Sequence, residues 1–276
     1  LVTAVRNVRN LVGLADGVAL AAVVVAPDAA VIDADREFIL DRGNLSALDV
    51  AVQAAKPPQS VTTVVGSGKV FGYNAFAAIQ DGINAVQPGG TVHVAAGIYK
   101  ETVTVSKSLS LLGAQADVDP RNGGRTEGGS SESVIDGESI RTEGIFVKGL
   151  ANDNRVTNVT IDGFEVRYAT YANVRFDYAS NVVLANTMVH HCTSNEGIKT
   201  KASCDSITVR KVTSHHNAGD GIELGDYGTH ANHVVEDSEF FDNEDRGIYL
   251  VGVTNGLVRR CKVSGSQGTV SDWHQG

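Results

Sequence analysis

The sequence predicts an all-β chain, a right-handed parallel β-helix (solenoid) with an N-terminal capping helix. Three observations carry this. Twelve-residue pieces reading NVTIDGFEVRYA, NVVLANTMVHHC, SITVRKVTSHHN, NHVVEDSEFFDN and NGLVRRCKVSGS begin at Asn158, Asn181, Ser206, Asn232 and Asn255, at spacings of 23, 25, 26 and 23 residues. A second pattern, Gly-Ile followed one residue later by Val, Thr or Leu, recurs in the same phase at 144–147, 197–200, 221–224 and 247–250, with 173–176 as a degenerate copy. Within the pieces apolar and polar residues alternate with period two, which is strand chemistry, so each repeat holds about three short strands.

Residues 1–65 are rich in Ala and Val and lack clean periodicity. They read as a poorly defined N-terminal segment, closed by a linker around Lys56-Pro57-Pro58-Gln59-Ser60. Its apolar run 18–26, after Arg6 and Arg9 and before Pro27, reads either as the remnant of an export signal or as a short core strand or helix. Residues 66–276 are assigned to the β-helix domain. Phe76, Ile79, Ile83 and Val86 stand at helical spacing before Pro88-Gly89-Gly90, which predicts a helix over about 75–86 that caps the first coil. From residue 91 the alternation becomes strand-like. Column four of the pieces (Ile161, Leu184, Val209, Val235, Val258) and column nine (Val166, Val189, Ser214, Phe240, Val263) are assigned to one continuous interior. The pattern is still running at residue 276, so the solenoid is expected to continue further.

Composition narrows the function. The net charge is −9 and no Lys/Arg-rich run occurs, which argues against nucleic acid and anionic membrane surfaces as partners. No stretch of about 18 uninterrupted apolar residues is present, so no membrane insertion is expected. Cys192, Cys204 and Cys261 lack the paired spacing of a zinc site and read as small apolar residues. Nucleotide, esterase and zinc-protease motifs are missing.

The stretch FAAIQDGINAVQPGGTVHVAAGIYKETVTVSKSLSLLGA, together with the repeats that follow it, resembles the pectate-lyase-like superfamily of right-handed β-helices over residues 71–276. That resemblance implies a fold and leaves activity open, since the superfamily includes lyases, hydrolases, epimerases, phage tailspikes and non-catalytic surface proteins. An Asp-Pro-His motif of uronan epimerases is replaced here by Phe176-Asp177-Tyr178.

Residues in one column of stacked coils form a ladder. The outward ladder of the Gly-Ile strand reads Phe146, Arg175, Lys199, Glu223, Tyr249. Cations beside a carboxylate and aromatic rings suit a sugar acid, with Arg175, Tyr249 and His215 as substrate-binding candidates. Columns ten and eleven contain His190-His191 and His215-His216 in register. Lys199, His191, His216 and Glu223 are the catalytic candidates, expected to border one groove, with Lys199 or a histidine as the base of a β-elimination. Asp220, Glu223 and Asp242, from an acidic stretch over 220–245, are candidate ligands for Ca2+. The reading is an extracellular or cell-surface monomer that binds, and as an enzyme cleaves, a uronate-containing polysaccharide. The alternative is a non-catalytic adhesion module, with the same ladders serving only as a solvated sheet face.

Overall fold

The computed structural model describes residues 20–26, 45–52, 59–62 and 75–266. The chain divides into two compact units, 1–56 and 57–276. In the first, Leu20–Ala26 pairs in parallel with Leu45–Val52. The apolar run at 18–26 is thus largely a strand.

The second unit is a parallel β-solenoid. Its described strands form three parallel sheets of eleven, seven and six strands; from Thr91 on the coils visit each sheet in turn, and the last two coils give the eleven-stranded sheet two short strands apiece, His230–Ala231 with Val234–Glu236 and Val253–Thr254 with Leu257–Arg259. Coil-to-coil register follows the sequence repeat. Ile161, Leu184, Val209, Val235 and Val258 stand side by side, as do Val166, Val189, Ser214, Phe240 and Val263, and as do Ile145, Val174, Ile198, Ile222 and Ile248. These columns are buried apart from Val258 and Val263 in the last coil, which are partly covered. No single coil encloses its own apolar side; each is closed by its neighbours, so burial and strand pairing stabilise the same contacts.

Corners are built by left-handed backbone. In each twelve-residue piece positive φ falls at columns one, six and eleven, as at Asn181, Asn186 and His191, or Ser206, Lys211 and His216. Asn and Asp tolerate this conformation; His191, His216, Lys211 and Arg260 hold it at a cost of about 1 kcal/mol each. Next to the third corner, Asn173, Asn217 and Asn243 form a buried ladder. Asn173 Nδ2 donates to Asn217 Oδ1 at 3.3 Å and Asn217 Nδ2 donates to Asn243 Oδ1 at 2.9 Å.

Two features depart from the sequence expectation. The helix covers only Ile79–Ala85, because Ala75–Phe76 is a strand that pairs with Gln59–Thr62. Gln59–Thr62 also pairs with Thr91–Val94, so part of the stretch read as a linker extends the eleven-stranded sheet. The helix packs against these strands, and its first amides, of Ile79 and Gln80, donate to the Glu101 carboxylate at 2.9 and 3.0 Å. That carboxylate performs the role of a missing N-cap side chain.

Between strands Leu109–Leu112 and Ser133–Asp136 the chain makes a twenty-residue excursion, 113–132, that is no part of the repeat. It lies against Gly163, whose φ is +81°, so closely that a Cβ there would stand 2.1 Å from the Ala116 nitrogen. Arg125 fastens it by donating to the carbonyls of Asn186 and Phe164.

Candidate functional site

The six-stranded sheet presents the expected ladder: Phe146, Arg175, Lys199, Glu223 and Tyr249 are neighbours in register on its outward face. Strand alternation puts Ile and Val inside, and hence these side chains outside. The face is nevertheless crowded, and Lys199 and Glu223 are mostly buried. Lys199 Nζ donates to Glu223 Oε2 and lies 3.4 Å from Glu196 Oε2 and 3.5 Å from Asp226 Oδ2. Glu196, Asp220 and Glu223, all buried, bring carboxylate oxygens within 4.8 Å of one another. Glu196 Oε2 has no hydrogen-bond partner. Asp220 Oδ1 accepts from the Arg246 amide at 2.8 Å, and the Arg246 guanidinium covers the Tyr249 ring at 3.7 Å.

Burial is the largest influence on Glu196; Lys199 opposes it and Glu223 adds to it, leaving the carboxyl raised to about 7. Burial raises Asp220 to about 6 against the Arg246 amide and guanidinium, with Asp245 and Glu223 adding to the rise. For Lys199 burial acts downward, but the Glu223 hydrogen bond and the Glu196 and Glu223 charges outweigh it, and the pKa rises above the ordinary lysine value. The ammonium is therefore the form this site holds, which does not suit Lys199 to the role of a base. Arg175 is also engaged: it donates to Glu143 at 2.8 Å and to Asp177 at 3.0 Å, between the rings of Phe146 and Tyr171.

The histidines form a second cluster, on the seven-stranded sheet. His190, His215 and Phe241 occupy one outward column. His215 stacks on His190 at 5.1 Å and on Phe241 at 4.4 Å between ring centroids. His191 and His216, at the corner, stack at 5.2 Å, and each pairs Nδ1 to Nδ1 with its chain neighbour at 2.7 and 2.8 Å. The excursion covers the inner pair: Glu127 Oε1 is 2.9 Å from His215 Nε2, and Gly128 N donates to Glu165, whose Oε1 lies 3.3 Å from His190 Nε2 and off the hydrogen-bond axis. Burial first, and then the surrounding imidazoles, push His215 down to about 3, so it is neutral at physiological pH.

Lys199 meets Glu223, and His191 meets His216, but among the described residues no hydrogen bond, ion pair or ring contact joins the two sets. The single groove is thus two clusters on two sheets. Asp242 also stands apart from Asp220 and Glu223. It is a corner residue of the histidine side, with φ of 52° and its amide on the Ser264 carbonyl, and Glu196 takes the third position in the carboxylate group. Sequence reasoning passed over Glu196, Glu165 and Glu127. For Glu196 a signal exists: an acid precedes Gly-Ile in Glu143-Gly-Ile, Glu196-Gly-Ile and Asp220-Gly-Ile.

The model of a family described as "Right handed beta helix region" matches residues 126–267, just over half of the chain. The chain belongs to this family. The right-handed parallel β-helix is therefore established by sequence and by coil geometry together. Among curated proteins none matches. A solved structure titled "Geobacillus virus E2 - ORF18" resembles the β-helix with a TM-score of 0.53 and 18% identity, over 66% of this chain and 38% of that one. The chain thus spans well under half of that protein's length, and at this identity the likeness concerns the fold alone. No helix among the described residues is long and apolar enough to cross a membrane.

Proposed function

We propose that this β-helix binds a glycan across the outward face of its six-stranded sheet and hydrolyses it with the carboxylates gathered around Lys199. The observation that carries the reading is the approach of Glu196, Asp220 and Glu223 to within 4.8 Å of one another, with Glu196 and Glu223 against the Lys199 ammonium and the Tyr171 and Tyr249 rings alongside. Closely spaced carboxyls with unlike surroundings divide into an acid and a base. Glu196, raised by burial, donates a proton to the glycosidic oxygen. Glu223, which accepts a hydrogen bond from Lys199, attacks the anomeric carbon as the bond to that oxygen breaks, and water then cleaves the glycosyl ester with Glu196 as base.

Elimination on a uronate would need an unprotonated base and a cation available to the sugar carboxylate. Here Lys199 is engaged by Glu223, and Arg175 by Glu143 and Asp177. That favours a neutral glycan over a uronate. A polymeric glycan as partner goes with an extracellular or cell-surface setting, and helix Ile79–Ala85 would then shield the N-terminal end of the solenoid.

The test is product analysis on neutral glucans and galactans beside pectate and alginate. New reducing ends without ultraviolet-absorbing unsaturated uronate are expected, with a loss of at least 100-fold in Glu196→Gln and little change on adding a calcium chelator. Unsaturated products from pectate or alginate would restore elimination as the chemistry, and binding without any product would make the chain an adhesion module.

A further inference from the structure

The seven-stranded sheet carries a ladder of flat side chains that stops one rung early. Arg167, His190, His215, Phe241 and Ser264 are successive members of one outward column, each in register with the next. The rings of His190, His215 and Phe241 stack nearly parallel, at interplanar angles of 8° and 12°. His215 covers one side of Phe241. On the other side the next coil supplies Ser264, whose side chain is too short to cover a ring. A cavity of about 250 Å³ opens there, lined by Glu239, Phe241, Asp242, Lys262 and Ser264 along with Phe240.

We propose that this cavity is a binding site for one neutral pyranose ring, which completes the ladder by laying its C–H face on Phe241. The stack fixes the orientation of the slot, because a flat guest parallel to Phe241 continues the inter-coil spacing of about 4.8 Å set by strand pairing. The rim fixes the chemistry. Glu239 and Lys262 face each other in register across the two coils, and Asp242 and Ser264 flank them, so hydroxyl groups around a sugar ring meet both acceptors and a donor. Two carboxylates against one ammonium disfavour phosphates and uronates. The site lies on a different sheet from the carboxylates around Lys199 and does not rest on that reading.

The experiment is saturation-transfer NMR on the full chain with methyl glucopyranoside, galactopyranoside and mannopyranoside, with methyl glucuronide and indole as controls. Ser264→Phe should fill the slot with the chain's own next rung, keep the fold and weaken transfer to the preferred pyranoside at least tenfold. Phe241→Ala, checked for folding by circular dichroism, should lose it as well. Leu150→Ala, at an exposed side chain on the loop between strands Glu143–Lys148 and Val156–Asp162, should leave it unchanged. Absence of transfer to every pyranoside, equal transfer in Ser264→Phe, or preference for the glucuronide or indole would overturn the proposal. Loss in Glu196→Gln with retention in Ser264→Phe would assign sugar binding to the carboxylate face, and so remove this site while leaving the proposed function standing.

Discussion

Arg125 and Glu132, seven residues apart in the excursion over the seven-stranded sheet, form an ion pair in which both side chains are wholly buried. The pair is the fastening that turns an irregular segment into a lid over His190, His215 and Glu165, since Arg125 also reaches the carbonyls of two coils. Breaking it by Arg125→Met leaves Glu132 buried and uncompensated, at a cost of about 3–5 kcal/mol. The loss should appear as detachment of the excursion, read as new protease cleavage within 113–132 ahead of global unfolding. Arg125→Met combined with Glu132→Leu should regain the part of the protection lost to the uncompensated Glu132 charge, and not the part owed to the hydrogen bonds on the Asn186 and Phe164 carbonyls. Equal cleavage of parent and single variant would show that the lid is held elsewhere.

Asn217 is the middle of the buried asparagine ladder and accepts from the Cys192 amide at 2.9 Å. Asn217→Leu keeps the volume and strands that amide, and the expected loss in urea unfolding is about 2–4 kcal/mol. A change under about 0.5 kcal/mol would mean that the ladder contributes no net stability.

Val209 is fully buried between Leu184 and Val235. Val209→Asp introduces an unpaired charge shared by three coils, with several kcal/mol at stake. Thermal melting should drop sharply, and hydrogen exchange should rise in the coils on both sides. A melting point within a degree or so of the parent would remove column four from the interior.

Two buried groups give opposite pH dependences. His233 is lowered to about 4, by burial first and then by His230. The unfolded chain takes up this proton near pH 6.5 and the folded chain does so only near 4, so stability declines as pH falls through that window, by on the order of 3 kcal/mol. Asp220, raised to about 6, binds its proton earlier in the folded state. Its contribution is complete below about pH 4 and is lost as pH rises through 6. Melting curves between pH 4 and 7 should therefore show a shallower acid-side decline for His233→Gln and a shallower neutral-side decline for Asp220→Asn. Parallel curves for parent and both variants would contradict these assignments.

The interior columns and the outward ladder of the six-stranded sheet were legible because strand alternation and coil register are both written in the repeat. Phe146 to Tyr249 could be lined up from the text alone. What lies outside the repeat was not legible. The burial of His190 and His215 depends on Glu127 and Gly128, in a segment with no periodic partner. Phe76 sits at helical spacing but becomes a strand residue because it pairs with Thr62, in a short strand whose first residues, Gln59 and Ser60, belong to the stretch that reads as a linker. Lys199 and Glu223 were paired correctly from register; Glu196 and Asp220 stand in the column just before Gly-Ile, and their approach to Lys199 and Glu223 depends on side-chain burial that the column alone does not state.

The left-handed corners also limit how this chain can vary. From Asn158 to Tyr168, Asn181 to His191, Ser206 to His216 and Asn232 to Asp242 the hinges keep one interval, whereas the stretch from Tyr168 to Asn181 is shorter than that from His191 to Ser206 or from His216 to Asn232. Between Asn158 and Asp242 two sides of each coil are metered by backbone geometry, and an extra residue within the strands there would put that coil out of register with its neighbours. The excursion 113–132 precedes these coils and leaves at the corner between those two sides, while from Asn158 onward the length variation falls on the third side, the one that bears Lys199 and its carboxylates. Insertions can reshape the surroundings of that face without disturbing the stack, so it is where divergence among coils, and among related chains, should collect.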